Sequence, residues 1–145
     1  MRIPRLLLIG SLFLLAAACG TMSNTPAVAA VNVHAQTAPF FGSGFSAPFP
    51  FDVSVTNRTT EPLNVRSIRV SSPGMLQYTI RREEKLFKET LAPGETKALP
   101  FTATAIRTSS TLGSTEPLTL RLEVDFERSN GKVIREVYTF PNLVI

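Results

Sequence analysis

The sequence predicts an all-β protein whose folded part is an antiparallel β-sandwich of about seven strands. Apolar and polar residues alternate with a period of two along several stretches, which is the pattern of half-buried strands. Turn-forming residues separate these stretches at regular intervals, and no stretch has a convincing helical period. Seven or so short strands over about a hundred residues are typical of a sandwich.

The N-terminus has the layout of a secretory signal peptide. Arg2 and Arg5 precede an apolar run that ends in small residues before Cys19. The run is about thirteen residues long, whereas a spanning helix needs about twenty. Part of the formal net charge of +4 falls in this segment, so the remaining chain is less basic than the total suggests. Cys19 is the only cysteine, so an intramolecular disulfide is excluded and the domain depends on its hydrophobic core.

The residues Leu-Ala-Ala-Ala-Cys at positions 15–19 resemble the lipobox of bacterial lipoproteins. The resemblance implies that Cys19 is the first mature residue and carries a diacylglyceryl group, which anchors the protein to a membrane. Gly20 follows where an aspartate would indicate retention in the inner membrane, so an outer-membrane location facing the periplasm is favoured. We therefore expect residues 1–18 to be a signal peptide, residues 19–26 a lipidated cysteine and flexible tether, and residues 27–145 the domain.

The first part of the domain contains a loose strand and a segment rich in phenylalanine. Residues 27–37 hold three valines and are expected to form the first strand. Residues 38–51 hold five phenylalanines together with three prolines and two glycines, which predicts an irregular loop over most of the segment. Its rings either plug the open end of the core or stay exposed and contact a partner. The candidate contact residues are Phe40, Phe41, Phe45 and Phe49.

Regular alternation begins at Phe51 and continues, with interruptions, to Phe140. A change of parity between Val65 and Ile68 predicts a β-bulge, and Pro100 predicts that its strand is an edge or is bulged. The expected strands cover residues 51–56, 63–71, 76–80, 86–91, 96–106, 118–127 and 132–140. The charged residues 81–85 are expected to form a solvated hairpin or edge, and residues 92–95 a type II turn with Gly94 at its third position.

The Asn130-Gly131 pair lies between the two most regular stretches and predicts a hairpin. A three-residue loop with Gly131 in the left-handed conformation pairs Phe126 with Ile134, Asp125 with Arg135 and Leu122 with Tyr138. In this register Glu136 falls on the inward-facing side, which is unusual for a carboxylate. Val133 and Val137 fall on the outward side, where we expect the Phe-rich loop or a partner to cover them.

The string Val-Ser-Val-Thr-Asn-Arg-Thr-Thr-Glu-Pro-Leu-Asn-Val at positions 53–65, followed by Leu-Ala-Pro-Gly-Glu-Thr, resembles the immunoglobulin-like and fibronectin-III-like domains of bacterial envelope proteins. The resemblance covers residues 51–140 and implies an immunoglobulin-like sandwich. It implies little about activity, because such sandwiches host many unrelated functions.

Reactive groups are scarce. His34 is the only histidine, and Cys19 is expected to be lipidated, so a catalytic triad or a zinc or copper site is not expected. Glu123, Asp125 and Glu127 share one strand face with basic neighbours, which indicates a salt-bridged surface rather than a pair of catalytic acids. We expect no enzyme activity, no cofactor, no metal and no nucleic acid.

Two functions remain. The first is a non-enzymatic, lipid-anchored binding or assembly module that meets an envelope protein partner through a sheet edge and the Phe-rich loop. The alternative is a small-molecule or lipid carrier with an apolar pocket between the sheets, lined by Phe101, Leu120 and Tyr138.

Overall fold

The computed structural model describes residues 27–73, 78–108 and 118–143. The expected signal peptide, Cys19 and the tether lie outside these residues. The described strands are β1 (Ala29–Ala35), β2 (Ser46–Asn57), β3 (Leu63–Ser71), β4 (Tyr78–Ile80), β5 (Glu83–Leu91), β6 (Thr96–Arg107), β7 (Leu118–Arg128) and β8 (Val133–Leu143). The described part therefore has eight strands, and each overlaps one of the eight stretches expected from the sequence.

The strands form two four-stranded antiparallel sheets that pack as a sandwich. The strand order is β1-β2-β6-β4 in the first sheet, called sheet A, and β5-β3-β7-β8 in the second, called sheet B. This is the arrangement of an immunoglobulin-like fold, in which the first, second and fifth main strands face the third, sixth and seventh. The short β4 is the extra strand that departs from a simple seven-strand count. The prediction of an all-β, immunoglobulin-like sandwich is confirmed.

The core lies between the sheets and is built from the inward-facing side chains of every strand. Three phenylalanines form its aromatic centre: the Phe51 ring lies 5.3 Å from Phe49 and stacks at 5.3 Å on Phe101. Phe126 on sheet B is fully buried as well. Burial of one such ring contributes about 1.5–3 kcal/mol.

Three local predictions about sheet B and its turns are confirmed. The pairing of β3 with both neighbours shifts register between Val65 and Ser67, which is the expected bulge. Gly94 has a φ of +75°, and the turn that contains it closes through a hydrogen bond from the Glu95 N–H to the Ala92 carbonyl at 3.0 Å. Gly131 has a φ of +77°, so the hairpin has the left-handed residue that its three-residue loop requires.

The hairpin register is also confirmed. Phe126 pairs with Ile134, Asp125 with Arg135, and Leu122 with Tyr138. This register places Val133 and Val137 on the outer face of sheet B, where both remain exposed. The expectation that the Phe-rich loop covers them is wrong, because that loop lies at the far end of the sandwich.

The start of β2 corrects the prediction of an irregular loop over residues 38–51. The strand begins at Ser46 and includes Pro48 and Pro50, both paired with β6. The Pro50 carbonyl accepts a hydrogen bond from the Gln36 N–H at 3.1 Å, so the backbone of Pro50 points to the side of β1. Strand β1 ends at Ala35. The missing proline N–H groups therefore face a side with no strand to pair, and the prolines leave the ladder with β6 intact.

Pro100 shows the same principle on the other side of sheet A. Strand β4 pairs only with the last three residues of β6, so Pro100 lies where β6 has an open edge. Its carbonyl points to that edge and accepts a hydrogen bond from Lys85 Nζ at 2.7 Å. The prediction that proline marks an edge here is confirmed.

The two ends of the sandwich differ in what they carry. Ala29, where the chain enters the fold, pairs with Asn57 at one end, which we call the tether end. The opposite end holds the loop between β1 and β2 and the end of β6, and we call it the aromatic end. Strand β2 runs between them over twelve residues, which corresponds to about 36 Å.

Candidate functional site

The aromatic end presents two exposed phenylalanine rings on a tight turn. The turn closes through a hydrogen bond from the Gly44 N–H to the Phe41 carbonyl at 2.8 Å, and Gly42 within it has a φ of +50°. Phe40 is 87% exposed and Phe45 is 64% exposed. Large apolar side chains with this exposure mark surfaces where a protein contacts another molecule.

The guanidinium of Arg107, the last residue of β6, lies beside the rings of Phe41 and Phe45. Its guanidinium carbon is 5.6 Å from the centre of the Phe41 ring and 5.8 Å from the centre of the Phe45 ring, within range of cation–π attraction. Nη2 donates to the Gly44 carbonyl at 3.3 Å, and the Arg107 N–H donates to the Phe45 carbonyl at 2.8 Å. These contacts hold the turn against the end of β6.

The four expected contact phenylalanines separate into three environments. Phe40 and Phe45 are exposed, as a contact surface requires. Phe41 is half-buried and packs against the core. Phe49 is fully buried, so its nomination as a contact residue is wrong: it lies within β2 and faces inward with Phe51. Buried rings, as the plug requires, and exposed rings, as a contact surface requires, therefore both occur in this segment.

Arg107 was not among the residues expected from the sequence. The sequence feature that could have indicated Arg107 is its parity, because Arg107 continues the inward-facing series of β6 that ends with Ala103 and Ala105. An arginine at an inward position one step beyond the core has no apolar space to fill. Its charge instead lies against the rings at the end of the sandwich.

Further arginines lie near this end. The Arg81 N–H donates to the Thr104 carbonyl at 2.9 Å, three residues from Arg107 along β6, or about 10 Å. Arg81 and Arg82 are both exposed. In the described part of the chain, Arg81, Arg82 and Arg107 form no ion pair with a carboxylate. Glu83, the nearest acid in sequence, accepts a hydrogen bond from the Thr104 N–H at 3.2 Å.

The outer face of sheet B carries an ion-pair network centred on Asp125. Arg135 donates to both carboxylate oxygens, at 2.7 and 2.9 Å, and Arg69 approaches at 3.3 Å. The Arg135 hydrogen bonds hold the pKa of Asp125 below its ordinary value and raise the pKa of Arg135. Arg69 similarly lowers the pKa of Glu84 by a hydrogen bond. The expected salt-bridged surface accounts for these acids.

The contacts of Glu136 explain why a carboxylate occupies the inward-facing position noted in the sequence. Its carboxylate accepts a hydrogen bond from the Val28 N–H at 2.7 Å and another from the Tyr138 hydroxyl, which also lies 3.2 Å from the Ala29 carbonyl. Burial, together with the hydrogen bond to Glu136, raises the pKa of Tyr138. The carboxylate thus joins β8 of sheet B to the start of β1 of sheet A.

The residues expected to line a carrier pocket belong to the packed interior. Phe101 and Leu120 are buried core residues, and Tyr138 packs against the core through its ring. An open groove of about 590 Å³ lies elsewhere, on the outer face of sheet B beside the bulge of β3. Its lining mixes charged residues with Leu86, which is 77% exposed.

The sheet edges are β1 and β4 in sheet A, and β5 and β8 in sheet B. The β4 edge is three residues long, and β5 is rich in charge. Strand β8 carries exposed Val133 and Val137 on one face, with Arg135 between them and Pro141 near its end. Short length, charge and proline are features that limit strand addition at an edge.

Two absences hold within residues 27–73, 78–108 and 118–143. Within these ranges there is no group of three or more His, Cys, Asp or Glu side chains arranged to hold a metal ion. The same ranges contain no helix that is long and apolar enough to cross a membrane.

Comparisons with known proteins bear on the fold alone. No protein-family model and no curated protein matches the chain. The fold is similar to the X-ray structure of Northeast Structural Genomics Consortium target SoR45, with a TM-score of 0.60, 9% sequence identity, and coverage of 81% of this chain and 87% of that chain. At this identity the similarity establishes a shared architecture and no shared activity.

Two other solved structures have TM-scores below 0.5, so their similarity to the chain is weak. A FixG-related protein from Vibrio parahaemolyticus has a TM-score of 0.35 and 16% identity, with coverage of 82% of this chain and 100% of that chain. A β-glucuronidase from glycoside hydrolase family 2 has a TM-score of 0.44 and 16% identity, and the matched region covers 77% of this chain but 11% of the enzyme.

Proposed function

We propose that this chain is a lipid-anchored, non-enzymatic binding module of the bacterial cell envelope, held at a membrane through Cys19 and meeting a protein partner through its aromatic end. The observation that carries the proposal is the exposure of Phe40 and of Phe45, whose ring lies beside the guanidinium of Arg107. Two large apolar side chains held by a closed turn form a surface that costs solubility and adds little to the core.

The position of this surface suits a tethered protein. The chain enters the domain at Ala29, at the end of the sandwich opposite Phe40 and Phe45. Ala27 follows Cys19 by eight positions, and a fully extended chain spans at most about 28 Å over that distance. An anchor at Cys19 would hold the tether end near the bilayer, in the outer membrane by the resemblance of the signal sequence, and leave the aromatic end free for a partner in the periplasm.

The proposal of a non-enzymatic role rests on the residues that the chain contains. The single histidine of the sequence, His34, is exposed on β1. The acids on the outer face of sheet B are engaged by arginines. Binding is therefore the function that the remaining surface chemistry supports.

The sheet edge is the weaker of the two expected contact surfaces. Strand β8 has exposed Val133 and Val137, which suit an added strand. Arg135 and Pro141 on the same strand oppose it. We retain β8 as a secondary contact of the same module, subordinate to the aromatic end.

The carrier alternative requires space between the sheets beside Phe101, Leu120 and Tyr138. Native mass spectrometry of the protein purified from its own envelope tests it: a bound small molecule that copurifies would support the carrier, and bare protein would remove it.

Two experiments test the proposal. Cys19→Ser should move the protein from the membrane fraction to the soluble fraction or block its processing, and unchanged membrane attachment would contradict a lipid anchor. Cross-linking in intact envelopes should give a discrete adduct that disappears in the Phe40→Ser/Phe45→Ser double variant. Leu86→Ser, which changes an equally exposed apolar side chain on sheet B, is the matched control and should leave the adduct unchanged. An adduct that survives the double variant would reject the aromatic end as the contact.

A further inference from the structure

We infer that a second copy of this chain adds to the open edge of β8, so that the two copies of sheet B join across a two-fold axis at Val137. This inference goes beyond the proposed function and does not depend on it, because it concerns the edge of sheet B and not the aromatic end. It comes from the open backbone of β8 and from the order of the side chains along that strand.

The backbone of β8 has one open side. The Arg128 N–H donates to the Lys132 carbonyl at 3.0 Å, and bonded pairs alternate along an antiparallel ladder, so every second residue from Lys132 onward bonds to β7. The N–H and C=O groups of Arg135, Val137 and Thr139 therefore point away from β7. Strand β8 is the last strand of its sheet, and within the described ranges these groups have no backbone partner. Such groups are a template for another strand.

The start of β1 does not fill this edge. The Val28 N–H and the Ala29 carbonyl are bonded by the side chains of Glu136 and Tyr138, not by the backbone of β8. These side chains lie on the inward-facing side of the strand. Val137 lies on the opposite face and is 51% exposed. The edge thus combines open backbone groups with an exposed β-branched side chain.

The side chains of β8 are complementary to themselves about Val137. When two identical strands run antiparallel and are centred on this residue, apolar side chains face apolar ones and polar side chains face polar ones. The facing pairs are Val137 with Val137, Ile134 with Phe140, Arg135 with Thr139, and Glu136 with Tyr138. The last pair already forms a hydrogen bond within one copy. Matched cross-strand pairs stabilise a sheet, so the order of residues in β8 favours a second copy as its partner.

Neighbouring registers of the same pairing lack this match. An axis at Glu136 would place two carboxylates opposite each other, and an axis at Arg135 would do the same with two guanidinium groups. Like charges directly opposite destabilise a strand pair. An axis at Tyr138 would place Glu136 opposite the ring of Phe140. The side chains therefore select the register centred on Val137.

The features of β8 that oppose an unrelated strand do not oppose a second copy in this register. Arg135 donates to both oxygens of Asp125, at 2.7 and 2.9 Å, so its charge is compensated within its own copy. The two copies of Arg135 are offset by about 13 Å along the strands. Pro141 follows the register shift that ends the regular pairing of β8 with β7 at Phe140. Its missing N–H therefore affects only the end of the new pairing.

The pairing is small and suits copies that are held close together. Residues 135, 137 and 139 of the two copies form about six inter-strand hydrogen bonds. One strand from each copy gives an interface below about 1,200 Å², which is the size of transient contacts. A shared membrane raises the effective concentration of such copies. Because the two-fold axis is perpendicular to the sheets, two anchored copies would lie with their sheets along the bilayer.

The experiment is disulfide trapping in intact envelopes with Val137→Cys. The register brings the two Cα atoms of residue 137 to about 5.5 Å, within the range that a disulfide spans. Val133→Cys is the matched control, because Val133 is 47% exposed on the same face of the same strand, while its two copies are offset by about 26 Å. Oxidation should link Val137→Cys into a dimer at least about fivefold more than Val133→Cys.

A charge at the axis gives a second measurement. Val137→Lys places two ammonium groups opposite each other and should raise the dissociation constant of the dimer about tenfold or more, as measured by sedimentation of the detergent-extracted protein. Leu86→Lys, which changes an exposed apolar residue on β5, should change it by less than about twofold. Circular dichroism verifies that both variants remain folded.

The outcomes separate this inference from the proposed function. No disulfide at position 137, or equal trapping at positions 133 and 137, would overturn the inference. An adduct of Val137→Cys with a different protein would assign the edge to that protein and would also overturn it. A disulfide through Cys19 in the unsubstituted chain would contradict the lipid anchor alone, and the comparison repeated with Cys19→Ser would then test the dimer.

Discussion

Replacing Asn57 with alanine should lower the free energy of unfolding by about 3 kcal/mol. Asn57 ends β2 and is 1% exposed. Its Nδ2 donates to the carbonyls of Glu61 at 2.8 Å and Leu91 at 3.1 Å, and its Oδ1 accepts from the Thr59 N–H at 2.8 Å. Three hydrogen bonds at about 1 kcal/mol each give the magnitude, and the buried Leu91 carbonyl is left without its donor.

The assay is urea denaturation followed by circular dichroism, with a thermal melt as a second measure. A loss of 3 kcal/mol corresponds to a fall in Tm of roughly 12 °C or more for a domain of this size. Asn64→Ala is the matched control: Asn64 lies one strand away, is half-buried, and accepts one exposed hydrogen bond from the Thr90 hydroxyl at 2.6 Å. It should cost less than about 1 kcal/mol. If the two variants lose the same stability, the role assigned to Asn57 is wrong.

Three other outcomes are expected. The hydrogen bonds from Arg135 lower the pKa of Asp125 in the folded protein. The stabilisation from the Asp125 carboxylate is therefore complete above the ordinary pKa of 3.8 and is lost as the pH falls through the lower folded pKa. Asp125→Asn should flatten the fall in Tm between about pH 5 and pH 2. Tyr138→Phe should cost about 1 kcal/mol and speed amide exchange at the start of β1, measured by hydrogen exchange. Phe49→Ala should cost about 3–5 kcal/mol in urea unfolding, whereas Phe40→Ala should change stability by less than about 0.5 kcal/mol.

The parts of the fold that could be predicted from the sequence depend on local signals. The Asn130-Gly131 pair sets the length of the hairpin loop, and loop length sets the register, so three cross-strand pairs of β7 and β8 follow directly. The bulge near Val65 is also local, because it appears as a change of parity within one strand. Such features need no knowledge of which strands become neighbours.

The start of β2 could not be predicted in this way. Pro48 and Pro50 are acceptable in the strand because β1 ends before it reaches them, and where β1 ends relative to β2 is a property of the tertiary arrangement. Glu136 is similar: its inward position was visible, but its partner, the Val28 N–H, lies 108 residues away in the chain. The free-energy cost of a proline in a strand, or of a buried carboxylate, depends on which part of the chain lies beside it. The local sequence does not specify that neighbour.

The aromatic end was predicted in part. Richness in phenylalanine indicated a surface or a plug, but the division between exposed and buried rings follows from parity within β2. Phe49 and Phe51 share the inward parity of Val53, and both are buried. Phe45 has the same parity but precedes the strand, so its ring passes beyond the core and is exposed.

Phe45 and Arg107 occupy equivalent positions on neighbouring strands. Ser46 pairs with Ile106, so the residues just beyond them meet, and the Arg107 N–H donates to the Phe45 carbonyl. Each continues the inward face of its strand past the last core layer. A polar side chain at position 45 would keep that backbone hydrogen bond and bury no less of the core, because the Phe45 ring is 64% exposed. Folding therefore does not require phenylalanine there, and the proposed contact with a partner would give the ring a role that the isolated domain does not.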